Sequence, residues 1–173
     1  MKIVLVGYMG SGKSSVGQAL ASVLNFEFVD LDEEIEKIEN TSIADIFSRK
    51  GEIYFRKKEN EYIKTLLEKN DQYILATGGG TPCYGNTMEV IRNSKDVVSI
   101  YLKCSLDTLT NRLFYETKER PLIAHLHSKE DLQDFIRKHL FERSYYYNQA
   151  TLSLDCDQTS IKEIVEALVL KLF

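Results

Sequence analysis

The 173-residue sequence has no apolar run of about 18 residues, so it predicts no membrane-crossing helix. It has no basic excess: 22 Lys and Arg stand against 26 Asp and Glu, a formal net charge of −4. That balance predicts neither a nucleic-acid nor a membrane partner, while leaving room for a local basic pocket. The apolar opening from Met1 runs at once into Gly7, without the basic start, longer apolar region and cleavage site of a secretory signal. A cytoplasmic location is therefore expected. Cys83, Cys104 and Cys156 are odd in number and widely spaced, and give neither a disulfide framework nor a metal pattern. His125, His127 and His139 form no metal constellation and read as surface or packing residues. Internal repeats and low-complexity stretches are absent. Only two prolines occur, Pro82 and Pro121.

The length fits one domain, residues 1–173, and 43% hydrophobic residues suffice for a core. Five short β-rich runs stand out: Lys2–Val6, Phe26–Val29, Gln72–Ala76, Val97–Leu102 and Thr151–Leu154. Helical patterns separate them. From Glu52 to Lys69, the residues Phe55, Glu59, Tyr62, Ile63, Leu66 and Leu67 fall on one mainly apolar face. Glu130–Tyr147 and Ser160–Phe173 are similar. Strands alternating with helices predict an α/β fold, a parallel sheet covered on both faces. Ligands of such sheets bind beyond the carboxyl ends of the strands, where the motifs below fall.

Gly7-Tyr8-Met9-Gly10-Ser11-Gly12-Lys13-Ser14 matches the G-x-x-x-x-G-K-[ST] phosphate loop, between a β run and a helical pattern from Ser14 to Leu24. Glycines let the backbone N–H groups of Gly10, Ser11, Gly12 and their neighbours turn toward phosphate oxygens, and the helix N-terminus adds partial positive charge. Lys13 would reach the β and γ phosphates, and the Ser14 hydroxyl would ligate Mg²⁺. This loop alone says only that a nucleoside triphosphate binds. A GTPase would also need an Asn-Lys-x-Asp base-reading motif, which the sequence lacks.

Asp30 and Asp32 close the second β run. In extended chain that spacing puts both on one face, toward the site. One can serve Mg²⁺, and the other can take a proton from a substrate hydroxyl. The competing reading is that either caps the helix expected from about Glu33. The third run ends in Thr77 and glycines rather than an aspartate, which favours Asp30 for the metal. Arg56 and Glu59 are neighbours at i,i+3 on a helix starting near Gly51, so Glu59 could steady Arg56 for a bidentate grip on a substrate carboxylate. Gly78-Gly79-Gly80 suggests close approach of backbone to ligand. Arg120 lies in a polar stretch that reads as a lid. Arg143 precedes Tyr145-Tyr146-Tyr147, tyrosines that read as packing.

Taken together, the chain resembles the shikimate kinases along nearly its whole length. The resemblance rests on Gly7–Ser14; Asp30-Leu31-Asp32; Ser42–Phe47; Gly51-Glu52 with Phe55-Arg56 and Glu59; Gly78-Gly79-Gly80; Arg120-Pro121-Leu122; and Glu142-Arg143-Ser144-Tyr145-Tyr146. The phosphate loop is generic; the ordered combination is specific. It implies a three-layer, adenylate-kinase-like P-loop fold with a five-stranded parallel sheet in the order 2-3-1-4-5. It also implies a substrate subdomain over residues 32–60 and a lid over about 112–125. The implied reaction is transfer of the ATP γ-phosphoryl to the 3-hydroxyl of shikimate, on the way to chorismate and the aromatic amino acids, by a monomer. By position, Asp32 would be the base; Asp32, Arg56, Arg143, Gly78, Gly79 and Gly80 would line shikimate; and Asp30 and Ser14 would serve Mg²⁺. Lys13 and Arg120 would stabilise phosphate charge, Gly10–Ser15 would cradle ATP, and Arg112 would stack near adenine, beside a loop near 155–158. Ser15 stands where the family often has threonine, and the lid lacks a clear glycine hinge. The rivals are a gluconate or nucleoside monophosphate kinase of the same fold, and a binding protein that has lost the reaction. The Phe-Arg-x-x-Glu helix with the triple glycine argues against the first, and the joint presence of base and clamp against the second.

Overall fold

A computed structural model describes residues 1–69, 71–120 and 122–173; Pro121 of the lid motif lies outside the described residues. Five strands, β1 (Lys2–Val6), β2 (Glu27–Asp30), β3 (Tyr73–Ala76), β4 (Val97–Lys103) and β5 (Leu152–Asp155), pair in parallel in the order β2-β3-β1-β4-β5. This is the expected five-stranded P-loop sheet. The central strand β1 is buried at every residue, as a strand covered on both faces must be, and so it reads as a continuous apolar run. Its register, Leu5 opposite Ala76 and Val6 opposite Tyr101, brings the carboxyl ends of three strands to one edge.

Seven helices flank the sheet among the described residues: α1 (Lys13–Leu24), α2 (Leu31–Glu39), α3 (Ile43–Glu68), α4 (Thr87–Asn93), α5 (Leu106–Phe114), α6 (Lys129–Tyr147) and α7 (Ile161–Leu172). Short serine caps define several starts. The Ser42, Ser105, Ser128 and Ser160 side chains each accept from a backbone N–H one turn ahead, and Ser160 completes a capping box with Glu163. Side chains such as Ile3, Leu5, Leu20, Ile74 and Ile136 are fully buried in one core, where truncation to alanine costs about 2–5 kcal/mol. No helix among the described residues is long and apolar enough to cross a membrane.

Two expectations need correction. The helix expected over Glu52–Lys69 extends back to Ile43 and is broken at Gly51, whose φ of 82° and ψ of 169° are not helical. Its apolar face is as expected: Phe55, Glu59, Ile63, Leu66 and Leu67 are buried, and Tyr62 is partly so. Second, Asp32 is not in extended chain. The strand β2 stops at Asp30, and Leu31 already opens α2, because the Asp30 carboxylate caps that helix.

Candidate active site

The phosphate loop joins β1 to α1. Gly12 sits at φ 93° immediately before the helix, a left-handed turn that aims the first N–H groups of α1 into the cleft. Lys13 is buried, and its ammonium donates to the carbonyls of Gly7 at 2.8 Å and Tyr8 at 2.9 Å. Burial lowers its pKa to about 8, against the pull of Asp32, while Arg120 pushes it further down. The buried Ser11 hydroxyl finds no partner among the described residues.

Asp30 divides its carboxylate between two tasks. Oδ1 accepts from the backbone N–H of Asp32 at 3.0 Å and of Glu33 at 3.4 Å, while Oδ2 accepts from the Ser14 hydroxyl at 2.9 Å. The capping and metal readings of Asp30 are therefore compatible. Ser14 Oγ and Asp30 Oδ2 form a pair of hard oxygen donors at the cleft, the donor type Mg²⁺ selects. Asp32 reaches the site from the first turn of α2. Burial raises its pKa to about 6, helped by Glu59 and Asp30 and opposed by Lys13 and Arg56.

The three glycines after β3 have ordinary φ values, so space rather than conformation demands them. A Cβ on Gly78 would lie 2.8 Å from Thr81 Oγ1 and 3.3 Å from both Asp32 Oδ1 and Glu59 Oε1. One on Gly79 would meet the Met9 backbone nitrogen at 3.0 Å and Arg143 Nη1 at 3.7 Å, and one on Gly80 would strike Arg56 Nη2 at 2.7 Å. Each glycine thus abuts a different candidate residue. Arg56 donates to Glu59 Oε2 at 2.6 Å, and the buried Glu59 also accepts from Thr81 at 2.6 Å. The Arg56 guanidinium lies 4.2 Å from the centroid of the Tyr84 ring. Sequence reading missed Thr81 and Tyr84; neither belongs to a motif, and only the fold brings them to Arg56. Arg143, buried on α6, stands 5.9 Å from the Tyr8 ring centroid. His139 packs on Phe135 and pairs its Nδ1 with the Tyr8 hydroxyl at 3.0 Å, a packing role as expected.

These residues border a cleft of about 700 Å³ lined by Met9–Val16, Asp30, Asp32, Gly78, Gly79, Arg112 and Arg120, among others. Arg56, Gly80 and Arg143 stand next to it rather than in its wall, joined to it through the glycine contacts. Arg112 donates to the Gly10 carbonyl at 3.1 Å and leans on Cys104 Sγ at 3.6 Å, so it braces the phosphate loop. Arg120 pairs with Glu116 at 2.6 Å beside the 3₁₀ turn Thr117–Glu119. On the far side, Thr159, Ile161 and Ile164 line the cleft, whereas residues 155–158 do not.

The family model described as "Shikimate kinase" matches residues 9–173. The curated shikimate kinase of Flavobacterium johnsoniae is 48% identical over 97% of this chain and 96% of its own length. Among solved structures, shikimate kinase from Bacteroides thetaiotaomicron superposes with a TM-score of 0.89 at 31% identity, covering 99% of this chain and 98% of that one. Shikimate kinase from Acinetobacter baumannii in complex with shikimate gives a TM-score of 0.86 at 30% identity, covering 99% and 92%.

Proposed function

The chain belongs to the shikimate kinase family, and we propose from that membership and from its cleft that it transfers the γ-phosphoryl of ATP to the 3-hydroxyl of shikimate. The observation that carries the residue roles is the glycine triplet. Its three successive positions abut a carboxylate that can act as base, the phosphate loop together with one arginine, and a second arginine. An acid substrate bearing hydroxyls needs these groups side by side.

In this reading, Arg56 and Arg143 hold the shikimate carboxylate, with Glu59 keeping the Arg56 fork in place. The Gly79 and Gly80 backbone approaches the ring. The Asp32 carboxylate accepts the proton of the attacking hydroxyl, and a pKa of about 6 leaves it ionised but basic at neutral pH. Lys13 and Arg120 stabilise the negative charge on the transferring group's oxygens. The Gly10–Ser15 loop cradles the phosphates, and Arg112 borders the nucleotide. Ser14 and Asp30 are the residues that would hold Mg²⁺, whose chemistry when bound is to neutralise phosphate charge. Residues 32–60 act as the substrate-side subdomain, since they carry both Asp32 and Arg56, and about 112–125 act as the lid that carries Arg120. The family membership goes with a monomer. Cytoplasmic residence, where ATP is supplied, goes with it.

Titration of Arg56→Ala with shikimate and separately with an ATP analogue tests the assignment. Loss of a charge-assisted pair of about 1.5–3 kcal/mol predicts roughly 10–150-fold weaker shikimate binding with nucleotide affinity retained. Equal loss of both ligands would reject the clamp.

A further inference from the structure

The sequence marks Tyr145, Tyr146 and Tyr147 alike as packing residues, but they differ in the fold. Tyr145 is exposed, whereas Tyr147, the last residue of α6, is fully buried. Its ring lies against Tyr101 on β4, with centroids 5.2 Å apart and planes tilted by 34°. Its hydroxyl donates to the carbonyl of Gly79 across 68 residues of sequence. Tyr147 is one helical turn after Arg143, whose Nη1 lies 3.7 Å from where a Gly79 Cβ would be. Burial holds the phenol well above its ordinary pKa, against the opposing effect of Arg143, so the hydroxyl remains a donor throughout the working range.

The consequence lies in the peptide between Gly79 and Gly80. No cis bond occurs among the described residues, so the Gly79 carbonyl and the Gly80 N–H point in opposite directions across one rigid plane. Fixing the carbonyl toward the Tyr147 hydroxyl turns the N–H away from that hydroxyl. Among the described residues, the N–H of Gly80 meets no backbone acceptor, whereas its neighbour Thr81 donates to the Gly78 carbonyl at 3.1 Å. A free amide donor beside the Arg56 guanidinium is a position for an oxygen of the bound substrate.

We propose that Tyr147 is a positioning residue for the acceptor substrate, setting the orientation of the Gly79–Gly80 peptide so that the Gly80 amide serves the substrate held by Arg56 and Arg143. This rests on the reading of the cleft as the shikimate site. Tyr147 acts through the peptide and does not touch the substrate. Nucleotide binding, on the far side of Gly79, does not depend on it.

The test is calorimetric titration of wild type, Tyr147→Phe and Tyr101→Leu with shikimate and, separately, with a non-hydrolysable ATP analogue, alongside steady-state kinetics and thermal melts. Loss of one neutral hydrogen bond predicts shikimate affinity roughly 3–10-fold weaker in Tyr147→Phe, with KM for shikimate rising in parallel and nucleotide affinity within about twofold of wild type. Tyr101→Leu removes the ring partner and leaves the hydroxyl in place. It is expected to melt earlier but keep the wild-type ratio of the two affinities. Unchanged shikimate affinity in Tyr147→Phe, parallel loss of both ligands, or the same selective loss in Tyr101→Leu would each overturn the proposal. Absence of shikimate binding by the wild type would instead remove the reading of the cleft, and the proposal with it.

Discussion

Asp32 and Asp30 show how burial and position assign different work to like side chains. The folded pKa of Asp32 is about 6, above its ordinary value of 3.8. The ionised form is therefore the disfavoured one, with a cost to the fold that is complete above about pH 6 and relieved as pH falls toward 4. Turnover has the opposite dependence, because the base must be ionised. We expect kcat/KM to fall about tenfold per unit below pH 6, and a profile flat down to pH 5 would remove Asp32 as the base. Asp32→Asn should lose about 10²–10⁴-fold in kcat yet melt a few degrees higher at pH 7.5, at about 2–4 °C per kcal/mol for a chain of this size. Unchanged turnover would contradict the role. For Asp30, asparagine caps a helix as well as aspartate does but carries no charge. Asp30→Asn should keep the melting temperature and raise the Mg²⁺ concentration needed for half-maximal rate, whereas Asp30→Ala should also lose about 0.5–2 kcal/mol of stability. A stability loss equal in both variants would show that charge, not capping, supports α2.

At the scale of elements, α3 carries the most information about how the site is built. Gly51 occupies a region of φ and ψ open essentially to glycine alone, and a Cβ there would meet nothing within 4 Å. The cost of Gly51→Ala is thus conformational rather than steric, about 1–3 kcal/mol. Thermal denaturation should show that loss together with a raised KM for shikimate, since the break sets the direction of the turn that bears Arg56. An unchanged melt would mean that the helix runs straight at no cost. This break was only half visible in sequence. The period of Phe55, Ile63, Leu66 and Leu67 located the second half of α3, but a single glycine between two helical patterns does not reveal its φ. Asp32 was misplaced for a related reason: alternation along a strand says nothing about where the strand stops, and the cap at Asp30 decided that. The sheet was legible because five β-rich runs separated by amphipathic segments admit few parallel arrangements.

Across the whole molecule, the cationic side chains Lys13, Arg56, Arg112, Arg120 and Arg143 gather at one edge of a chain whose formal charge is −4. Motif order made that gathering legible. What sequence could not give were contacts that close through space: Thr81 and Tyr84 around Arg56, Tyr147 on Gly79, and the Thr159–Ile164 wall of the cleft. None of these belongs to a local pattern. The reading of the whole as one phosphotransfer site for an acidic polyol is tested most directly by ADP release from Mg-ATP, with shikimate, gluconate and nucleoside monophosphates in parallel. Release that rises strongly with shikimate alone is the predicted result. Release with another acceptor but not shikimate, or none at all from folded protein that binds ATP, would contradict it.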